Sequence, residues 1–259
     1  MGLEARVSRF APSRLLAVAS LLCALRSPSL AADGAVGHPV PQNPSFIVVG
    51  FTGGFVRHDD PRQGPVQLAD RLRQAFSNDA YVQVFENRHR KAALHTIVRL
   101  LDTDHDGSLS HAEKDRARVI LYGHSWGGAA VVLLARELDR AGIPVLLTVQ
   151  VDSVAKFWQQ DAVIPDNVVA AANFYQPHGL VHGRSLIWAA NGAKTQILGN
   201  HRFDYHQTPV ECHDISWFDR TFMSNHMKSE CDPNLWSEVE ALVRQRLEAG
   251  HILASSPLP

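Results

Sequence analysis

Val119-Ile120-Leu121-Tyr122-Gly123-His124-Ser125-Trp126-Gly127-Gly128 is the stretch whose reading decides the fold. Its first four residues form a short, continuous apolar run, the pattern of a strand buried on both faces. Gly127 to Asp139 then reads as an amphipathic helix, ended by Gly142 and Pro144. Between strand and helix, Gly123-His124-Ser125-Trp126-Gly127 has the spacing G-x-S-x-G. A strand turning this directly into a helix has no room for side chains two residues either side of the turn. It also holds the central residue in a strained conformation with its side chain presented outward. The plain alternative is a glycine-rich turn that packs a helix on a sheet.

The same alternation extends in both directions. Ser45 to Gly50 reads as a buried parallel strand, followed by a helix from Pro65 to Phe76 with Leu68, Leu72 and Phe76 on one face. Tyr81 to Phe85 reads as a strand, and Ala92 to Leu101 as a helix carrying Leu94, Ile97, Val98 and Leu101 at helical spacing. Beyond the helix that follows Ser125, strands are expected at Val145 to Val151, Val168 to Phe174 and Thr195 to Leu198. Asp232 and Pro233 open a final helix, with Leu235, Val239, Leu242, Val243 and Leu247 as its apolar stripe and Gly250 at its end. Strands alternating with helices imply an α/β fold: a doubly wound, mostly parallel sheet of about six strands. The stretch from Gln176 to Asn225 is rich in His, Gly and aromatics and gives no periodicity to place it.

With this setting, the G-x-S-x-G motif resembles that of the α/β-hydrolase superfamily, and within it the lipases and esterases. The resemblance runs from about Phe46 to the final helix, in a minimal six-strand version. It implies a serine hydrolase cleaving carboxylic esters, with Ser125 as nucleophile. It also implies an oxyanion hole formed by the N–H of Trp126 and one from the loop Gly50-Phe51-Thr52-Gly53-Gly54, where the second donor is Thr52 or Phe51. Triad members follow in the order serine, acid, histidine. Asp152 closes the strand after the helix and is the leading acid, ahead of Asp161, Asp166 and Asp204. The base is expected on a loop before the last helix, where His226 stands six residues ahead of Asp232, with His213 as runner-up. His124 is expected to pack in the turn, and His178, His182, His201 and His206 to be loop residues, since their spacing fits no zinc pattern. Phe157, Trp158, Trp188, Trp217 and Phe222 are candidates for an acyl pocket or for core.

Asp102-Thr103-Asp104-His105-Asp106-Gly107-Ser108-Leu109-Ser110-His111-Ala112-Glu113 reads as an EF-hand loop. Oxygen donors Asp102, Asp104, Asp106, Ser108, Ser110 and Glu113 fall at the calcium-ligand positions, with Gly107 at the sharp turn. A structural Ca2+ is the expected cofactor, and the plain alternative is an acidic surface turn.

Residues 1–32 read as a cleaved signal peptide. Arg6, Arg9 and Arg14 precede the apolar run Leu15 to Leu25, which is too short for a membrane span, and Ser29-Leu30-Ala31-Ala32 offers small residues for cleavage. Residues 33–259 then form one hydrolase domain, secreted or periplasmic. Cys212 and Cys231 are expected to form a disulfide, worth about 3 kcal/mol in the chain-entropy account. A formal net charge of −1 provides no pull towards nucleic acid or an anionic membrane. The expected partner is a small-molecule or lipid ester, with no stable membrane anchor. The rivals are a peptidase or acyltransferase on the same triad, and a non-catalytic, calcium-stabilised binding protein.

Overall fold

The computed structural model describes residue 41, residues 44–212 and residues 223–255, the last six without side chains. The expected signal peptide, His213, Trp217 and Phe222 lie outside the described residues. The described residues belong to one compact unit. Its elements are β1 (Phe46–Thr52), α1 (Gly64–Ala75), β2 (Ala80–Glu86), α2 (Arg90–Leu101), α3 (His111–Asp115), β3 (Val119–His124) and α4 (Trp126–Arg140). After these come β4 (Val145–Val151), β5 (Val163–Ile164), β6 (Val168–Tyr175), β7 (Trp188–Ala189), β8 (Gln196–Arg202), α5 (Ser224–Cys231) and α6 (Pro233–Ser255).

Six strands form one parallel sheet in the order β2-β1-β3-β4-β6-β8. This is the six-stranded, doubly wound α/β arrangement read from the alternation of strands and helices. The pleat sorts side chains onto two cores. Phe46, Val48, Ile120, Tyr122, Leu147 and Val149 face Leu68 and Leu72 of α1 and Leu235, Val239 and Val243 of α6. Ile47, Val49, Val119, Leu121 and Val145 face Ile97 of α2 and Val131, Leu134 and Leu138 of α4. Each such side chain, buried to near completion, contributes about 1.5–3 kcal/mol relative to exposure. Tight packing at α1 leaves Gly64 against the Trp236 indole of α6, with no space for a Cβ.

Two features lay beyond the periodicity. β5 and β7 form a separate two-residue parallel pair outside the main sheet. The strand expected at Thr195 to Leu198 runs on to Arg202 as the sheet edge, so His201 is a strand residue stacked on Phe174 at 4.8 Å, not a loop residue. Among the described residues, no helix is long and apolar enough to cross a membrane.

The strand order places the site. From β1 the chain steps to β2 on one side, then returns to β3 on the other, so the loops leaving β1 and β3 diverge at the carboxyl edge of the sheet. Ligand crevices of open α/β sheets form at such a switch point.

Candidate active site

Ser125 stands in this crevice between β3 and α4, with φ 57° and ψ −125°. Such a conformation costs a non-glycine residue about 1–3 kcal/mol. Close packing enforces it. A Cβ on Gly123 would lie 2.6 Å from the Gly127 carbonyl, and one on Gly127 would overlap the Phe51 carbonyl of β1. Neither backbone can yield, so the small residues of the motif have a steric cause. The Ser125 N–H is held by the Val151 carbonyl at 2.9 Å.

Asp152 follows directly from β4 and is also in the left-handed region, at φ 40°. Its carboxylate is fully buried and collects four N–H groups. Oδ1 accepts from the backbone of Gln176 at 3.2 Å and Gly183 at 2.6 Å, and Oδ2 accepts from Gln176 Nε2 at 3.1 Å. The fourth partner is His226 Nδ1, at 2.6 Å from Oδ2. His226 Nε2 in turn lies 2.8 Å from Ser125 Oγ. The three residues therefore make one unbroken hydrogen-bonded line, from chain positions 101 and 74 residues apart. A hydroxyl linked in this way to an imidazole, and through it to a buried carboxylate, can be deprotonated as it attacks an electrophile.

His226 is not on a loop. It lies in α5, a helix of eight residues whose buried members are His226, Ser229 and Glu230. The Cys212–Cys231 disulfide, with Cα atoms 5.6 Å apart, ties the end of this helix to the preceding segment. The rival acids are committed elsewhere: Asp161 to Ser153 and Arg184, Asp166 to Lys194, Asp204 to His178 and Arg202.

Two N–H-bearing elements border Ser125. Trp126 is the first residue of α4, where backbone N–H groups have no partner within the helix. Opposite, the Thr52–Gly54 loop lies against the serine, so that a Cβ on Gly53 would be 2.8 Å from Ser125 Cβ. The loop is pinned from both sides. Thr52 Oγ1 donates to the Val56 carbonyl at 3.1 Å, and Asn87 Nδ2 donates to the Gly54 carbonyl at 2.6 Å. Beside the turn, a cavity of about 290 Å³ is lined by Trp126, Lys156, Trp158 and Arg88 among others. Phe55 meets the Trp126 ring edge-on at 5.4 Å, and Lys156 Nζ lies 4.7 Å above it. Phe157, Trp158 and Trp188 are exposed, so none of the three belongs to the core.

The acidic loop is only partly assembled. Carboxylate oxygens of Asp102, Asp104 and Asp106 lie within 4.8 Å of one another, with Gly107 at φ 84° in the turn. That donor set suits a hard divalent cation. Glu113 and Ser110 are bonded to one another instead. Glu113 accepts from Thr103 N and Oγ1 and from Ser110 N and Oγ, at 2.7–2.9 Å, and Ser110 reciprocates as the N-cap of α3. These bonds hold the Glu113 carboxyl at about 2, well below its ordinary value. Ser108 Oγ donates to Asp106 at 2.8 Å. Glu113 would reach a cation only by giving up its capping bonds.

Sequence reasoning missed Gln176, Gly183, Ser229 and Glu230. Any side chain at Gly183 would overlap Asp152, and that close approach has no local signature.

The sequence matches no protein-family model and no curated protein. Solved structures do match it at low identity. RedJ, with a polyethylene glycol molecule in its active site, is 12% identical with a TM-score of 0.39, covering 78% of this chain and 98% of that one. The dienelactone hydrolase of Anabaena variabilis ATCC 29413 is 13% identical at 0.38, covering 81% and 88%. A cutinase-like protein from Cryptococcus sp. is 11% identical at 0.39, covering 81% and 98%. Likeness this distant carries no argument about chemistry, and the fold rests on the chain's own strand order.

Proposed function

We propose that this protein is a serine hydrolase of carboxylic esters. One observation carries the reading: the Ser125–His226–Asp152 line, buried at the switch point of the sheet and anchored by a strained serine. Ser125 Oγ attacks the acyl carbonyl while His226 Nε2 takes its proton. Asp152 keeps the remaining imidazole proton on Nδ1 and stabilises the cation that forms. The N–H groups of Trp126 and Thr52 hold the oxyanion, each worth roughly 3–4 kcal/mol in the transition state. His226 then protonates the leaving alcohol, and water, activated by the same imidazole, releases the acid and restores Ser125. Phe55, Trp126 and Trp158 offer apolar surface for the ester at the crevice rim. The signal-like residues 1–32 support a secreted or periplasmic site of action.

The test is labelling by a fluorophosphonate and hydrolysis of short and long p-nitrophenyl esters by the mature protein, beside a Ser125→Ala variant. Both are expected in the native protein and absent from the variant. Labelling without ester turnover would move the reading to a peptidase or acyltransferase, and neither would move it to a binding protein.

We further propose that Asp102, Asp104 and Asp106 hold a structural Ca2+, which would relieve the repulsion of three converging carboxylates. Sites of extracellular modules bind at about 10⁻⁴–10⁻³ M. Thermal melting is expected to rise with millimolar calcium over chelator, and Asp104→Asn to abolish the difference. An unchanged midpoint in the native protein would refute the site.

A further inference from the structure

His226 does not stand alone: its imidazole is stacked on a second histidine. The His124 ring lies 4.8 Å away, centroid to centroid, at 27°. His124 Nδ1 is ion-paired with Glu230 Oε2, and His124 Nε2 lies 3.0 Å from Ser229 Oγ. His124, Ser229 and Glu230 are all at least nine-tenths buried. Ser229 Oγ already spends its proton on the His226 carbonyl, at 2.7 Å, so towards His124 it accepts. Nε2 is therefore a donor, and Nδ1, facing a carboxylate, is a donor too. A ring donating from both nitrogens is an imidazolium. Burial opposes that charge, but the carboxylates of Glu230 and, farther off, Asp152 outweigh it and raise the His124 pKa. Glu230 Oε1 accepts the Gly64 N–H at 2.7 Å, which ties the pair to the start of α1.

Well-packed apolar residues of the same volume often give as much stability as a buried ion pair or more, so packing alone does not account for it. Its placement does. His124 adjoins Ser125 in the chain, while Ser229 and Glu230 lie on the same short helix as His226. Resting on the serine-hydrolase reading, we propose that His124 and Glu230 form a second, non-reacting dyad that positions the base. Glu230 fixes the His124 ring, the ring sets the plane of His226 by stacking, and Ser229 locks the backbone that carries it. The nucleophile and its base are thereby braced through their own chain neighbours. Like charges on two stacked rings repel each other. Among the described residues, the ionisable groups facing His124 are Glu230 and His226 from α5 and Asp152 from the end of β4.

The variant is Glu230→Gln. A buried imidazolium without its anion gives up its proton, so the cation beside His226 disappears. The expected result is a kcat at least about tenfold lower with KM within about twofold, and an acid limb of kcat/KM moved to higher pH. Glu230→Asp, which keeps the charge, is expected to return the limb towards its native position. Should Glu230→Gln fail to fold, Ser229→Ala removes the bridge without stranding a charge, and a loss in kcat at constant KM is expected. A readout independent of turnover comes from proton NMR. Two far-downfield imidazole N–H resonances are expected, one lost in Asp152→Asn and the other in Glu230→Gln. Native kcat, KM and pH profile in folded Glu230→Gln or Ser229→Ala would overturn the proposal. So would a native spectrum lacking the Glu230-dependent resonance, whether or not esters are hydrolysed.

Discussion

Asp152→Asn isolates the chemistry of the acid from its shape. Asparagine has the same size and tolerates the left-handed backbone that Asp152 adopts. Its hydrogen-bonding capacity differs. Asp152 accepts four N–H groups on two oxygens, whereas asparagine has one oxygen and one NH2. The Gln176 and Gly183 backbone donors cannot turn, so the amide oxygen stays with them and the NH2 faces His226 Nδ1. The imidazole must then offer a lone pair at Nδ1 and carry its proton on Nε2, against Ser125 Oγ. In that tautomer it cannot take the serine proton. The loss expected is about 10⁴ in kcat, or about 5.5 kcal/mol, with KM little changed. Gln176 Nε2 also loses its acceptor. It is held in place by the Val181 carbonyl, at 3.1 Å, and by His178 N–H on its oxygen, at 2.8 Å. That donor clash costs about 1–3 kcal/mol of stability. Steady-state kinetics on an activated ester, beside thermal melting, read both numbers. A kcat within tenfold of native in a folded variant would refute the assignment of Asp152 as the orienting acid.

Strain at Ser125 gives a second test. Ser125→Gly and Ser125→Ala both remove the hydroxyl, but glycine adopts φ 57°, ψ −125° without penalty. Ser125→Gly is expected to be more stable than Ser125→Ala by about 1–2 kcal/mol in urea unfolding, and equal midpoints would refute the strain. A third test concerns Glu113, whose carboxyl titrates at about 2 in the folded chain against an ordinary 4.5. A depressed carboxyl stabilises above its unfolded pKa and loses that contribution as pH falls through the folded one. The advantage of native protein over Glu113→Gln in denaturant is thus expected to be full above pH 4.5 and gone near pH 2. An advantage that persists at the acid end would contradict the bonding of this carboxylate.

The parts of the site legible in the sequence are those with local causes. The turn at Ser125 announces itself because two clashing backbones demand Gly123 and Gly127 within five residues. Asp152 was legible as the last position of an apolar strand. α5 was not, because its buried face consists of His226, Ser229 and Glu230, and no apolar stripe marks it as a helix. Gln176 and Gly183 matter through what they touch across a loop, and nothing in their neighbours tells of it. The acidic loop shows how one string can satisfy two rules. Ser110-His111-Ala112-Glu113 supplies the last calcium-ligand positions, and it equally spells a helix-capping box. In this structure the cap has claimed Glu113.

The long separation between Ser125 and His226 also has a consequence for how the molecule matures. The turn at Ser125 and the end of β4 need only neighbouring strands, so they can form once the centre of the sheet has condensed. His226 arrives 101 residues after the serine, on a helix that must dock beside α1 before it points correctly. At chain-elongation rates of roughly 5–20 residues per second, His226 is added roughly 5–20 s after Ser125. Until that docking the Ser125 hydroxyl lacks the imidazole 2.8 Å away in the complete fold. The turn at Ser125 is therefore built from chain made well before the imidazole that it meets in the complete fold.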